Sequence, residues 1–474
     1  MTTGSPSDAS YLAGAVTVLA GDSRERLREI PDNSVDAIVC DPPYGLGFMG
    51  KKWDTPGALV ERKAATENKW DHVGGNHNPS NSADAARTAR VEGKRFGEWC
   101  ETWARECLRV LKPGGHIVAF SGTRTYHRLA VAIEDAGFEI RDQLAWTYGS
   151  GFPKSHSVSK ALDKMAGAER EIVASKGSRP RLQPGNGVSG WATKGSPAGE
   201  YDGERVEVFD TAPATDAAKE WSGWGSALKP AWEPICLARK PLIGTIAENV
   251  LAHGTGALNI DATRIATETS RPLREHTGRS GNVYGAGLEG SKAVGTTDAG
   301  RWPANLCHDG SPEVMACFPE SDGQQGDLRG TEPSRTGGPG TVAYGKFNDR
   351  RVHEARNDSG SAARFFFTSK ADAHDRIGSK HPTVKPVDLM QWLCRLVCRR
   401  GGTILDPFAG TGTTGEAAWR EGMKAILIER EAEYHADIAR RMRLAERPDE
   451  RKAVAKAKGK SQSIEALPLF AGEA

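Results

Sequence analysis

The sequence has no C-x-x-C pair, no long apolar run and no surplus of charge of either sign. Its eight cysteines are scattered: Cys394 and Cys398 share a predicted helix, and Cys307 precedes His308 with Cys317 further along the same polar stretch. None of these spacings is a zinc pattern, so no metal site is expected and the thiols should be free and reduced. No apolar run reaches the roughly 18 residues of a membrane span, and the N-terminus MTTGSPSDAS lacks a basic stretch followed by an apolar one. The expectation is a soluble, cytoplasmic protein with no membrane partner. Basic residues, 63, nearly cancel acidic ones, 61, for a net charge of +2. That balance neither demands nor excludes nucleic acid, and only local clusters can inform. No internal repeat is present. Glycine, by contrast, is abundant, 55 in 474 residues, and mean hydropathy is low at −0.52. Long polar loops between compact elements, in two or three domains, account for both.

The most informative stretch runs from Gly401 to Glu429. Thr403 to Phe408 reads as a short buried strand, Ala409 to Gly415 as a small-residue turn, and Glu416 to Arg420 as the start of a helix. A second apolar run, Ala425 to Ile428, ends in Glu429. Glycines let backbone N–H groups approach a ligand, and a helix N-terminus favours an anionic group. An acid about 20 residues further on can accept hydrogen bonds from ribose hydroxyls. An adenosine-containing ligand is therefore expected here. Gly410, Gly412 and Gly415 formally satisfy G-x-G-x-x-G, so a dinucleotide-binding dehydrogenase is one reading, and a ligand-free glycine turn is another.

Upstream, Ala15 to Leu19 reads as a strand, Ser23 as an N-cap for a helix from Arg24 to Ile30, and Val35 to Cys40 as a second strand. That strand runs into Asp41-Pro42-Pro43-Tyr44, where two prolines stop strand pairing and stiffen the turn. Residues 54 to 94 are polar and read as a long mobile loop or lid. Apolar spacing predicts a helix from Phe96 to Leu111, then a strand from His116 to Phe120, a helix from Thr125 to Ala136 and a strand from Phe138 to Trp146. This alternation of β and α is the signature of a mostly parallel sheet covered on both faces. Beyond Trp146 the chain turns polar over residues 173 to 227 and 264 to 360, around a firmer island from Leu228 to Leu242 and a helix from Ile243 to Leu251. This middle reads as a separate, loop-rich module. Order returns with Arg364 to Thr368, His381-Pro382-Thr383-Val384-Lys385-Pro386, a helix from Val387 to Arg399, the glycine unit and a helix from Ala432 to Leu444. Residues 448 to 460, rich in Lys, Arg and Ala, read as a basic tail in the form of a solvated, frayed helix, with nucleic-acid contact the less favoured reading. The expected division is 1–150, 151–360, 361–446 and 447–474.

Three motifs, Asp41 to Tyr44 (DPPY), His381 to Pro386 (HPTVKP) and Asp406 to Thr414 (DPFAGTGTT), occur in that order. In this they resemble the S-adenosylmethionine-dependent amino-methyltransferases of DNA whose motifs run in permuted order. The phrases DPPYGLGFMGKKWD, TYGSGFPKS and GTGALNID resemble a phage or prophage branch of that group. The resemblance implies a doubly wound, mostly parallel sheet of seven strands, one of them antiparallel, assembled from both chain ends around an inserted target-recognition region. It implies methyl transfer from S-adenosylmethionine to an exocyclic amine of DNA. An acid opening the DPPY motif goes mainly with adenine N6 in that group, so N6 is expected, with cytosine N4, an RNA base or a DNA-binding relative that has lost catalysis as alternatives. Double-stranded DNA is the implied partner, and a homodimer and a partner restriction nuclease remain open.

Residue by residue, Asp41 and the Pro42 carbonyl are expected to accept the amine's two hydrogens and so free its lone pair, on the stiff turn that Pro43 completes. Tyr44 would stack on a base flipped from the duplex. Cys40 adjoins the motif, but no Pro-Cys dipeptide of the kind that attacks a pyrimidine ring is present. The resemblance further implies that Phe408, Gly410 and Gly412, with Asp406 and Thr413 in the same turn, wrap the cofactor. It gives Glu429 the ribose hydroxyls, Asp22 the adenine amine and Lys385 the methionine carboxylate. Basic residues are concentrated between Lys346 and Arg400, among them Arg350, Arg351, Arg364, Lys370, Arg376, Lys380, Arg399 and Arg400; a solvated surface is one reading of the cluster, and phosphate contact beside the site is the other.

Overall fold

The computed structural model describes residues 7–46, 54, 82–151, 155–182, 201–267, 271–276, 291–297, 299–321, 360–379, 381 and 383–465. Most of the expected lid, parts of the middle module, Pro382, and Lys346, Arg350, Arg351 and Lys380 lie outside the described residues. So do most of GFMGKKWD and the Phe152-Pro153-Lys154 of TYGSGFPKS.

The core of the molecule is a sheet of ten strands. Strands β1 (Ala9–Tyr11), β2 (Val16–Ala20), β3 (Val35–Cys40), β4 (Leu111–Phe120) and β5 (Glu139–Thr147) come from the first third of the chain. A hairpin of β6 (Ile172–Leu182) and β7 (Tyr201–Thr211) stands outside the sheet, as does one of β9 (Arg271–His276) and β10 (Ser291–Thr297). Between these hairpins, β8 (Trp232–Arg239) returns to the sheet. Strand β11 (Leu306–His308), the small pair β12 (Glu320–Ser321) and β13 (Gly360–Ser361), then β14 (Phe367–Thr368), β15 (Thr403–Asp406) and β16 (Lys424–Glu429) follow. The order across the main sheet is β1-β2-β16-β15-β3-β4-β8-β5-β11-β14.

The architecture is the expected doubly wound, mostly parallel one. Among the described residues the sheet has not seven strands but ten. Strands β2 to β5 in that order are the expected seven, with β8 antiparallel to both β4 and β5. Strands β1, β11 and β14, two or three residues each, are added at the margins. Runs that short carry no readable period, which is why the sequence does not reveal them. Two further corrections concern position. The island at 228–242, expected in the separate middle module, supplies the reversed strand β8 inside the main sheet. The helix expected from Phe96 begins at Ser82. Its first turns are Ala, Arg, Glu and Lys rather than an apolar stripe, so propensity favours helix while periodicity is silent.

Two apolar layers sandwich the sheet. In β3, Ala37 and Val39 pack into the layer that holds Leu389, Leu393, Ala417, Ala418 and Met442, whereas Ile38 and Cys40 pack against Trp99, Trp103, Leu129 and Ile133. Every residue of β3 is buried, as expected for a parallel strand covered on both faces. All eight cysteines are free and all but Cys317 are buried. Among the described residues no helix is long and apolar enough to cross a membrane.

Candidate active site

Open α/β sheets bind ligands beyond the carboxyl ends of their parallel strands. Here β2, β16, β15 and β3 lie side by side and parallel. Their ends therefore bring Asp22, Glu429, Asp406 and Asp41 to one edge. Because β8 runs the other way, its first residues reach the same edge, with Trp232 opposite Thr147 and Ile235 opposite Phe120. The reversed strand thus delivers Glu233, an acid the sequence analysis did not single out. The one available signal was local: Trp232-Glu233-Pro234 sets an acid beside a proline at the start of an apolar run, as Asp41-Pro42 does at the end of one.

At the tip of β3 a compact polar cluster forms. Lys385 Nζ donates to Asp41 Oδ2 at 2.6 Å and lies 3.1 Å from Glu233 Oε2. The Tyr44 hydroxyl lies 2.8 Å from Asp41 Oδ1 and 3.1 Å from Glu233 Oε2. The Lys385 ammonium also sits 4.9 Å from the Phe120 ring centroid. Burial alone would lower the Lys385 pKa, but the carboxylates of Asp41 and Glu233 outweigh it and raise it above the ordinary lysine value. Burial also raises Glu233, with Asp41 adding to it and Lys385 opposing. Tyr44 is pushed up by burial and by both acids. The turn itself is pinned from outside, since Gly45 N–H donates to the buried Asp54 carboxylate at 2.9 Å. Lys385, expected beside the methionine carboxylate of a cofactor, is engaged by Asp41 of the DPPY turn and by Glu233 of β8. Sequence spacing could not show this, because 344 residues separate Lys385 from Asp41.

The glycine turn lies on the neighbouring strand. Asp406 closes it from within, accepting Phe408 N–H at 2.9 Å and the Thr414 hydroxyl at 2.5 Å. Burial pushes Asp406 up to about 7. Thr413 is buried, with its hydroxyl 3.3 Å from that of Thr411. Phe408 packs edge-on against Trp103 at 5.2 Å and tilted on Trp99 at 5.7 Å. Asp406, Thr413 and the Phe408 ring thus hold together the turn that was expected to wrap the cofactor. Gly412 has φ +77°, and a Cβ there would meet Ile438 and Met442 at 3.2 Å, so it lets the helix Ala432–Ala445 approach. Gly410, at φ +51°, has only the His381 ring near a built Cβ, at 3.5 Å. His381 in turn stands edge-on to Tyr434. The 381–386 stretch thus touches both halves of the site, His381 at the glycine turn and Lys385 at Asp41.

Glu429 accepts Gly410 N–H and Glu431 N–H, each at 2.7 Å, one on each oxygen. Burial pushes it up to about 7. Asp22 caps the first helix in place of the expected Ser23, accepting Arg24 N–H at 2.9 Å. Burial would raise its pKa, but Arg24 and Arg430 outweigh this and lower it. The two acids are adjacent, since Gly21 N–H donates to the Glu429 carbonyl at 3.0 Å. Both Glu429 oxygens and Asp22 Oδ2 accept one hydrogen bond each and keep a second lone pair, whereas Asp22 Oδ1 already accepts both the backbone N–H and the Nε–H of Arg24. A pair of acceptors beside an open glycine fits the hydroxyls and amine of an adenosine. Of the described members of the basic cluster, Arg364 is turned inward, to the carbonyls of Gly360 and Ser361.

A doubly wound sheet with acids and a glycine turn at one set of strand tips, and an acid–proline–proline–tyrosine turn at the next, has the build of a nucleoside-cofactor methyltransferase. The chain belongs to the N6/N4 DNA methylase family, whose model matches residues 35–440. The cofactor of this family is S-adenosylmethionine. Two curated relatives are Type II methyltransferases of Haemophilus influenzae. M.HindIII is 26% identical over 246 residues, 50% of this chain and 63% of that protein; M.HinfI is 26% identical over 137 residues, 29% of this chain and 33% of that protein. The chain thus spans less than two thirds of the length of either. Among solved structures, the cytosine-N4-specific PvuII DNA methyltransferase is 14% identical with a TM-score of 0.39, covering 95% of this chain and 96% of that one.

Replacing Gly410 with valine should weaken S-adenosylmethionine binding by at least about tenfold, because a β-branched residue is strained at positive φ and fills the open side of the turn. Calorimetric titration of the folded variant measures this. Wild-type affinity would mean that the glycine turn is not the cofactor's site.

Proposed function

We propose that this protein methylates the exocyclic N6 of adenine in DNA, as a member of the permuted, phage- or prophage-like branch, with residues 151–360 contributing target recognition. The observation that carries the proposal is Asp41 at the tip of β3, half-buried, bonded to Lys385 and Tyr44 and one strand away from the glycine turn. S-adenosylmethionine, when bound, supplies an electrophilic sulfonium methyl. Glu429, Asp22 and the backbone at Gly410 would hold it.

The conjugated amine of a base is a poor nucleophile. Each Asp41 oxygen already accepts one donor, Lys385 or Tyr44, and so both are fixed in orientation. Their remaining lone pairs, with the Pro42 carbonyl, accept the amine hydrogens and favour a pyramidal nitrogen. Most of the rate comes from this pre-set geometry. The Tyr44 ring stacks on the flipped base while its hydroxyl remains anchored. The hairpins β6–β7 and β9–β10, outside the main sheet, support a recognition role for the middle of the chain.

The acid at Asp41 favours adenine over cytosine within this reading. Mixed genomic DNA treated with the protein and labelled S-adenosylmethionine, hydrolysed to nucleosides and analysed by mass spectrometry, should contain N6-methyladenine. N4-methylcytosine alone would overturn the base assignment, and no labelled nucleoside at all would overturn the activity.

A further inference from the structure

The cluster at the strand edge contains one more acid than positioning an amine requires. Glu233 shares the Tyr44 hydroxyl with Asp41, one phenolic oxygen standing between two carboxylates at 2.8 and 3.1 Å. Lys385 contacts the same three groups, at 2.6 Å from Asp41, 3.1 Å from Glu233 and 3.3 Å from Tyr44 Oη. Methylation of a neutral amine turns it into an ammonium, which must lose a proton to give the product. Resting on the amino-methyltransferase reading above, we propose that Glu233 is the acceptor of that proton, reached from Asp41 through the Tyr44 hydroxyl.

The transfer balances. The N–H bond of the methylated nitrogen breaks and its proton passes to Asp41 Oδ1. With Oδ1 now the donor, the Tyr44 O–H turns from Asp41 to Glu233; Oδ1 hands its proton to the Tyr44 oxygen as the phenol's own proton moves to Glu233 Oε2. Asp41 and Tyr44 end as they began, and Glu233 ends neutral. The groups facing Glu233 are Lys385, Asp41, Tyr44 and, further off, Tyr148. Burial raises Glu233 above the ordinary carboxylate value despite Lys385, which makes it a good final holder of a proton. It must be ionised to accept one, so the rate should rise with pH through that raised value. Asp41 is a catalytic residue in this scheme, whereas Glu233 acts only through Tyr44.

The test is single-turnover methyl transfer with E233Q, whose amide matches the carboxyl in size but cannot take up the proton. The variant should bind S-adenosylmethionine like wild type and transfer methyl roughly 10- to 100-fold more slowly. Its acid limb in the pH–rate profile should be gone, and Glu233→Asp should restore both rate and limb in part. Tyr44→Phe, which removes the bridging oxygen, should lose the same limb. Unchanged rate and pH profile in E233Q would overturn the relay. So would loss of cofactor affinity or of folding in E233Q together with an unaltered limb in Tyr44→Phe, which would make Glu233 a structural partner of Lys385. If wild-type protein transfers no methyl group to DNA, the functional reading itself fails, an outcome distinct from either.

Discussion

Asp41→Ala should lower methyl transfer by about 10³-fold, the scale on which removing a fixed group that acts only at the reacting atoms is felt. S-adenosylmethionine affinity should change by less than about threefold. The separation follows from where the groups sit. Asp41 belongs to the turn after β3, whereas the glycine turn after β15 is held by Asp406, Thr414 and Glu429, none of which bonds to Asp41. The fold should tolerate the change as well. Lys385 keeps Glu233 at 3.1 Å, so no buried cation is left without a counter-charge. Labelled-methyl incorporation and calorimetry on the same preparation decide the matter. If affinity collapses along with activity, Asp41 holds the cofactor and the assigned role is wrong.

Glu416→Gln should cost about 3–5 kcal/mol of stability, a Tm loss on the order of 10 °C. Glu416 is fully buried on the helix that follows the glycine turn and is paired with Arg441 at 2.9 Å, Arg420 at 2.7 Å and Arg451. Arg441 is itself fully buried and donates to the Thr411 carbonyl at 2.7 Å and the Asp375 carbonyl at 2.6 Å. A neutral amide at 416 leaves these guanidinium groups facing each other in the interior. Because Arg441 grips Thr411, between Gly410 and Gly412, cofactor affinity should fall too. Burial would raise the Glu416 pKa, but the arginines outweigh this and lower it. Its contribution is therefore complete above the unfolded carboxyl value and lost as pH falls through the lower folded value. The gap between wild type and variant should narrow in acid. Urea unfolding at several pH values tests both statements, and a difference under about 1 kcal/mol at neutral pH would show that the network is not what anchors this helix.

The sequence alone determined the parts whose physics is local. The proline-stiffened DPPY turn after an apolar strand, the glycine turn between Asp406 and the helix at Thr413, and the acid closing β16 were all legible. Chain geometry within a few residues dictates each of them. The β–α alternation that brings such turns to one sheet edge was legible for the same reason. Tertiary structure decided which of these groups meet. It set Lys385 against Asp41, and the Phe408 ring against Trp99 and Trp103. Glu233 entered the site only because β8 runs antiparallel between β4 and β5. A reversed strand presents its first residues where its parallel neighbours present their last. Strand direction is set by pairing across the sheet, between residues far apart in the chain, and no local pattern in the sequence encodes it.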